Sequence, residues 1–271
     1  KFDRNAINAR LAAERAAGRV VYDALCGTGI TAKMAARGGA DMVTTHSLAY
    51  FRMQGLSSMA GYLPIGDANA ITLDLGERSL INVVSECPVI AGILGVDPTR
   101  DMRRFVDRLV ATGFDGIMNC PTVALIDGKF RNDLEETGLG YAKEVDVLAY
   151  ASSSGIFTKA FCTSADEALA MADAGIDNII VHFGNSSGGT IGSQTVMEDE
   201  AAIQRAAEIF DALAAKHGGL IVTCHGGSIE TPAEFGESST ERRSSRFIGT
   251  SPNSFPSIRR KQTLLSFCHA T

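Results

Sequence analysis

Eight short β-rich stretches of this chain, most of them apolar rather than alternating, limit the folds open to it more than any other feature. They are residues 20–26, 42–46, 89–94, 117–120, 157–162, 179–183, 220–224 and, more weakly, 247–250. A strand with one face in water alternates apolar and polar residues, whereas a strand covered on both faces does not. The runs therefore read as buried strands of a parallel sheet, with helical segments between them. Asp97-Pro98-Thr99-Arg100 reads as one helix start, because an aspartate accepts from first-turn amides and proline presets φ, and Gly113 reads as its end. Ser164 with Glu167 is a capping-box pattern, and Gly175 closes that helix.

Three helix ends share a pattern: Gly39-Ala40-Asp41, Gly113-Phe114-Asp115 and Gly175-Ile176-Asp177 each precede a strand. Their glycines are 74 and 62 residues apart, about two βα units in each case. A repeat on alternate strands, in a set of eight, favours a (β/α)8 TIM barrel over an open doubly wound sheet. The dinucleotide fingerprint GxGxxG is absent, since Gly27-Thr28-Gly29 supplies only its first half. With 271 residues, 45% of them apolar, the chain can fill one such barrel. Residues 1–256 are assigned to a single barrel domain with an atypical last βα unit, because 227–246 leaves room for at most a short helix. Residues 257–271 read as an irregular basic tail.

A net charge of −6 argues against a nucleic-acid surface. No apolar run approaches the ~18 residues that cross a membrane, and the first residues lack the apolar core of a signal peptide. The six cysteines are scattered without a CxxC pair, as free thiols in a reducing compartment would be. A cytoplasmic location is therefore expected.

In barrel enzymes the chemistry sits at the C-terminal ends of the strands. Those ends here carry Gly27-Thr28-Gly29, His46-Ser47, Asp97, Asn119-Cys120, His182 followed by Gly188-Gly189, and His225-Gly226-Gly227. Three of the five histidines are in this set. Histidine exchanges protons near neutral pH, and glycines let backbone amides approach an anion. His182 and His225 are the candidate acid and base. Gly27, Thr28, Gly29, His46, Ser47, Asn119, Gly188, Gly189, Gly226 and Gly227 are candidate contacts for a small anionic metabolite. Connections 47–69 and 121–141 are too long for simple turns and read as lids, interface arms or binding loops. The second holds Asn132-Asp133-Leu134-Glu135-Glu136-Thr137-Gly138, in which Glu136 is a candidate proton donor and Glu135 a candidate ligand of a divalent ion. The first is crowded with Phe51, Met53, Leu56, Met59, Tyr62, Leu63 and Ile65, and exposed apolar surface of that extent points to a homodimer or higher homo-oligomer.

Gly27-Thr28-Gly29, Phe51-Arg52-Met53, Leu63-Pro64-Ile65-Gly66-Asp67-Ala68-Asn69-Ala70, Asn132 to Gly138 and Cys224-His225-Gly226-Gly227 together resemble the phosphoenolpyruvate hydrolase-like family, also called the TIM-barrel signal-transduction family. The likeness runs from about Ala6 to Glu234. It implies a barrel of the phosphoenolpyruvate/pyruvate type and hydrolysis of phosphoenolpyruvate or phosphonopyruvate. It also implies Mg2+ on an enolpyruvate oxygen, although the paired aspartates usual for that cation are not evident here. Where the family tends to have Tyr-Asn-Ser-Gly-Arg-Tyr-Arg-Met, this chain reads Thr45-His46-Ser47-Leu48-Ala49-Tyr50-Phe51-Arg52-Met53, with His46 for the asparagine and the first arginine lost. Two readings stay open: a hydrolase or lyase acting on a small phosphorylated or phosphonylated keto acid, and a regulatory barrel that senses a metabolite without converting it. Ionisable groups converging at the rim would favour the first; glycine amides and neutral groups alone would favour the second.

Overall fold

A computed structural model describes residues 1–187, 190–195 and 197–227 and the backbone of 248–249. The strands are β1 (Asp23–Leu25), β2 (Met42–Thr45), β3 (Val89–Ile93), β4 (Gly116–Asn119), β5 (Phe157–Cys162), β6 (Asn178–His182), β7 (Ile221–His225) and β8 (Ile248–Gly249). All neighbours pair in parallel, in sequence order. The intervening helices are α2 (Gly29–Gly38), α3 (Ser47–Met53), α4 (Ala68–Leu75), α5 (Met102–Thr112), α6 (Gly128–Glu136), α7 (Tyr141–Ser153), α8 (Ala165–Asp173) and α9 (Asp199–His217), while α1 (Arg4–Ala16) precedes the first strand.

The sheet curls into a barrel, and one contact proves the curl. In a flat sheet β1 and β5 would stand about 19 Å apart. Lys159 of β5 nevertheless donates from Nζ to Asp23 of β1, with both side chains almost completely buried. Thr44 of β2 joins them, its hydroxyl donating to Asp23 at 2.8 Å. Residues on the inner side of the strands form a core of their own, with Met42, Ile90, Met118, Phe157, Phe161 and Ile180. Ile7 and Leu11 of α1 belong to the same core and close the barrel's N-terminal end. The outer faces bury a second, larger core against the helices, which is why the strand segments lack polar alternation.

The repeated glycine and aspartate have a common job at that closed end. Asp41 accepts the backbone N–H of Tyr22 at 2.9 Å, Asp115 that of Val89 at 2.9 Å, and Asp177 that of Thr158 at 3.0 Å. Each carboxylate thus ties the foot of an even strand to the foot of the odd strand before it. Arg4 and Asn8 of α1 reach Asp177, and the Phe2 N–H reaches Asp115, so the plug is fastened to the same clamps. Gly39, Gly113 and Gly175 sit at φ of 87°, 126° and 79°, where a side chain would be strained.

Three expectations need correction. The cap of α5 is Asp101, which accepts from the N–H groups of Arg103 and Arg104. Asp97 instead folds back on Thr99 and holds the amide of Asn69 at 3.0 Å. Connections 47–69 and 121–141 are not open loops, because they contain α3 with a 3-10 turn (Ser58–Tyr62), and a 3-10 turn (Val123–Leu125) with α6. The capping box is only half reciprocal: Ser164 accepts from Glu167 N, but the Glu167 carboxylate accepts from Thr163 N. The proposed tail, 257–271, lies outside the described residues.

Candidate functional site at the barrel rim

The inner side chains of β6 and β7 end in histidines that are register partners, His182 opposite His225. Their rings lie 4.8 Å apart at 71°, and Phe161 of β5 contacts them at 4.5 and 5.2 Å. His46 follows β2 and is buried within the same rim, where His225 and Lys159 act on its charge. The space it occupies exists because β3 has a glycine there: a Cβ on Gly92 would stand 2.7 Å from His46 Cβ.

Local backbone contacts settle the protonation of two of the three rings. His46 caps α3, its Nδ1 accepting from Ala49 N at 3.1 Å, and His182 Nδ1 accepts from Gly184 N at 2.9 Å. A ring nitrogen that accepts carries no proton, so each neutral ring bears its hydrogen on Nε2. Burial pushes the pKa of His46 well below the usual histidine value, helped by the Arg52 cation. Burial does the same to His182, with His225, Arg205 and His46 adding to it. Both are neutral Nε2–H donors at pH 7. The Nε2 of His46 is buried and has no partner among the described residues, and neither does the hydroxyl of Ser47 beside it.

The other expected residues fall into several groups. Thr28 is spent as the cap of α2, accepting from Thr31 N at 3.3 Å, with Gly29 opening the helix. Gly27 leaves room for the Ala49 carbonyl of α3, and Gly226 for the Gly184 carbonyl. Gly227 follows at φ 66°, its carbonyl accepting from Ser187 N at 3.1 Å. Gly188 and Gly189 lie outside the described residues. Asn119 uses both amide hydrogens within the fold, on Glu144 at 2.7 Å and Phe161 O at 3.1 Å, while its carbonyl takes Phe161 N at 2.7 Å. It binds β4 to β5 and α7, with no donor left for a ligand.

The acidic segment forms most of α6. Glu136 is exposed at its end, and among the described residues no carboxylate acts on His182. Glu135 accepts from Arg131 Nε at 2.6 Å and Tyr141 N at 3.1 Å, which makes it a brace between α6 and the start of α7 rather than an available metal ligand.

Two side chains at the rim escape sequence reasoning. Glu144 of α7 is buried, holds Thr122 and Val123 of the β4 connection at 2.7 and 2.8 Å, and has its pKa pushed up to about 7 by burial. Its helical position carries no outward sign of this. Arg52 stands in a segment visible only as part of a family pattern, and burial lowers the pKa of its guanidinium.

These residues do not fit a resident Mg2+. Hard divalent ions need several oxygen ligands. Asp23 is committed to Lys159 and Thr44, Asp97 to Asn69 and Thr99, and Glu144 to the β4 connection. Among the described residues no group of three His, Cys, Asp or Glu side chains could hold a metal. No helix among them is long and apolar enough to cross a membrane.

Against known proteins, a family model described as phosphoenolpyruvate hydrolase-like matches residues 6–260. The ToMV resistance protein Tm-1(GCR237) of Solanum lycopersicum is 42% identical over 217 residues, 80% of this chain and 29% of that protein. The chain thus spans less than a third of that relative's length. Among solved structures, oxaloacetate acetylhydrolase in complex with the product oxalate aligns with a TM-score of 0.60 at 12% identity, over 98% of this chain and 85% of the other. Phosphonopyruvate hydrolase in complex with oxalate and Mg2+ aligns at 0.57 and 14% identity, over 92% and 80%. At such identities these structures establish the shared barrel fold.

Proposed function

The chain belongs to the phosphoenolpyruvate hydrolase-like family, and from that premise we propose that it is a hydrolase or lyase of a small phosphorylated or phosphonylated keto acid, with the rim histidines as its chemical groups. The observation that carries this reading is the pairing of His182 with His225 at the ends of β6 and β7.

The chemistry follows from what each ring can do. Breaking the P–O bond of phosphoenolpyruvate or the P–C bond of phosphonopyruvate leaves its electron pair on the same product, the enolate of pyruvate. Water supplies the oxygen that completes phosphate. A neutral imidazole whose proton is fixed on Nε2 cannot take up a proton there, but it can donate a hydrogen bond to the developing enolate oxygen. His182 and His46 are in that state. Proton exchange falls to His225, which would deliver a proton to the enolate carbon. Phe161 walls the pair from water on one side.

The test is turnover of phosphoenolpyruvate, phosphonopyruvate and oxaloacetate with and without added Mg2+, following phosphate and keto-acid release. His225→Asn is expected to lower kcat at least about hundredfold, the lower end for losing a general acid or base. Absence of turnover on all three would defeat the reading. A sensing barrel is the second reading, and one observation favours it: His46 and His182 are neutral, and among the described residues no carboxylate acts on them. Thermal stabilisation by these compounds without turnover would establish it.

A further inference from the structure

The ladder between β4 and β5 stops before β5 reaches the rim. Its last paired residues are Met118 and Lys159, and Phe161 lies past that end. Buried peptide groups are costly to leave without partners, and here a side chain continues the ladder. The Asn119 carbonyl takes the Phe161 N–H at 2.7 Å, and the Asn119 amide donates to the Phe161 carbonyl at 3.1 Å, where the Tyr141 hydroxyl also donates at 2.5 Å. Glu144 grips the same amide from α7. Its Oε2 accepts from Asn119 Nδ2 and from the Thr122 hydroxyl, each at 2.7 Å, and its Oε1 accepts from Val123 N at 2.8 Å. Hydrogen bonds to an ionised carboxylate are the strong kind. At the far end of this chain of contacts the Phe161 ring belongs to the inner core and lies 4.5 Å from the His182 ring and 5.2 Å from the His225 ring.

We propose that Glu144 is a positioning residue for the rim histidines: through the Asn119 amide it fixes the end of β5, and so sets where the Phe161 ring stands against His182 and His225. The assignment rests on the reading of that pair as the reacting groups. Among the described residues the Glu144 carboxylate hydrogen-bonds to Asn119, Thr122 and Val123 alone, so it acts on the histidines through geometry rather than by touching them. Proton delivery is steep in geometry, at about a hundredfold in rate for a misplacement of about 1 Å.

The experiment cuts the two bonds of Oε2 one at a time, at pH 8, where a carboxyl with a pKa of about 7 is ionised. In Glu144→Gln the new side chain can keep its oxygen on Val123 N and turn its NH2 to the Thr122 hydroxyl, which can accept instead of donate, so that the bond to Asn119 is the one lost. Thr122→Val removes the other bond and leaves Asn119 held. The readouts are the ring resonances of His182 and His225, the unfolding midpoint, and kcat and KM for whichever of the three acids is turned over. Glu144→Gln is expected to move both ring resonances and to lower kcat at least about tenfold with KM within about twofold. Thr122→Val should lower the midpoint with both rings unmoved. Rings that stay in place in Glu144→Gln, or that move as far in Thr122→Val, would overturn the assignment and leave Glu144 a role in stability alone. Should Glu144→Gln not fold, Asn119→Ala cuts the same chain at its middle link and must move both rings; unmoved rings there would overturn it too. Rings that move in a protein that turns over none of the acids would sink the enzymatic reading and leave the positioning role standing. Turnover whose kcat ignores Glu144→Gln would do the reverse.

Discussion

Gly92 of β3 and His46 at the end of β2 share one space: a Cβ on Gly92 would lie 2.7 Å from the His46 Cβ and 2.9 Å from the Cys120 carbonyl oxygen. Neither neighbour is the free end of a flexible chain, so neither can swing aside. Gly92→Ala is therefore expected to destabilise the barrel by about 1–3 kcal/mol, the usual cost of overpacking. It should also move His46 off its cap on Ala49. Denaturant unfolding and the histidine ring resonances check this; an unchanged midpoint and spectrum would show that the strand yields.

The buried pair of Asp23 and Lys159 should behave as a unit. Replacing Lys159 by Met leaves the Asp23 carboxylate inside the barrel with only Thr44 to satisfy it, at an expected cost of about 3–5 kcal/mol. Adding Asp23→Leu to that variant should recover most of the loss. Equal stability of the single and double variants would mean that the pair is not coupled.

Acid should weaken the fold in a way set by three buried groups. His46 and His182 are held neutral, so below the unfolded histidine pKa of about 6.5 the unfolded chain binds two protons that the native chain does not. Glu144, raised to about 7, binds one that the unfolded chain does not until the pH falls toward the ordinary carboxylate range. Stability rises with pH wherever the unfolded state holds more protons. The net is one proton, or a loss of about 1.4 kcal/mol per pH unit between about pH 6 and 5. Glu144→Gln removes the opposing contribution and should steepen the slope. Chemical unfolding across that range decides it, and a slope that is flat or reversed would refute it.

The two acidic residues of α6 should separate cleanly. Glu136 is exposed at the helix end, so Glu136→Gln should leave turnover within about twofold, against the hundredfold loss expected of a general acid. Glu135→Gln loses the charge that braces Arg131 and Tyr141 N and should lower the unfolding midpoint. A large kinetic effect at Glu136 would return it to the chemistry.

Met53, Leu56, Met59, Leu63 and Ile65 are exposed along α3 and the segment after it. Symmetric self-association would bury two copies of this strip. Light scattering at micromolar concentration is then expected to show a dimer that Met59→Asp converts to monomer. A wild type already monomeric would dismiss the dimer.

Much of the architecture is local and so legible in the amino-acid order. Runs that are mostly apolar rather than alternating give strands buried on both faces, and the repeated Gly-x-Asp places a left-handed turn and a strand-foot carboxylate on every second unit. Chain order along a parallel sheet also puts His46, His182 and His225 at one rim, because every strand ends on the same side. What the order cannot fix is which side chains meet across the barrel. Lys159 finds Asp23 over a separation of 136 residues only because the sheet curls. Glu135, Glu136 and Asn119 look alike as polar groups at or beyond the end of β4, yet one braces a helix, one faces solvent and one stitches two strands. Arg52 and Glu144 acquire their character from burial, and burial belongs to the packed whole: the same side chains on an isolated helix would sit in water with ordinary charges and no particular partner.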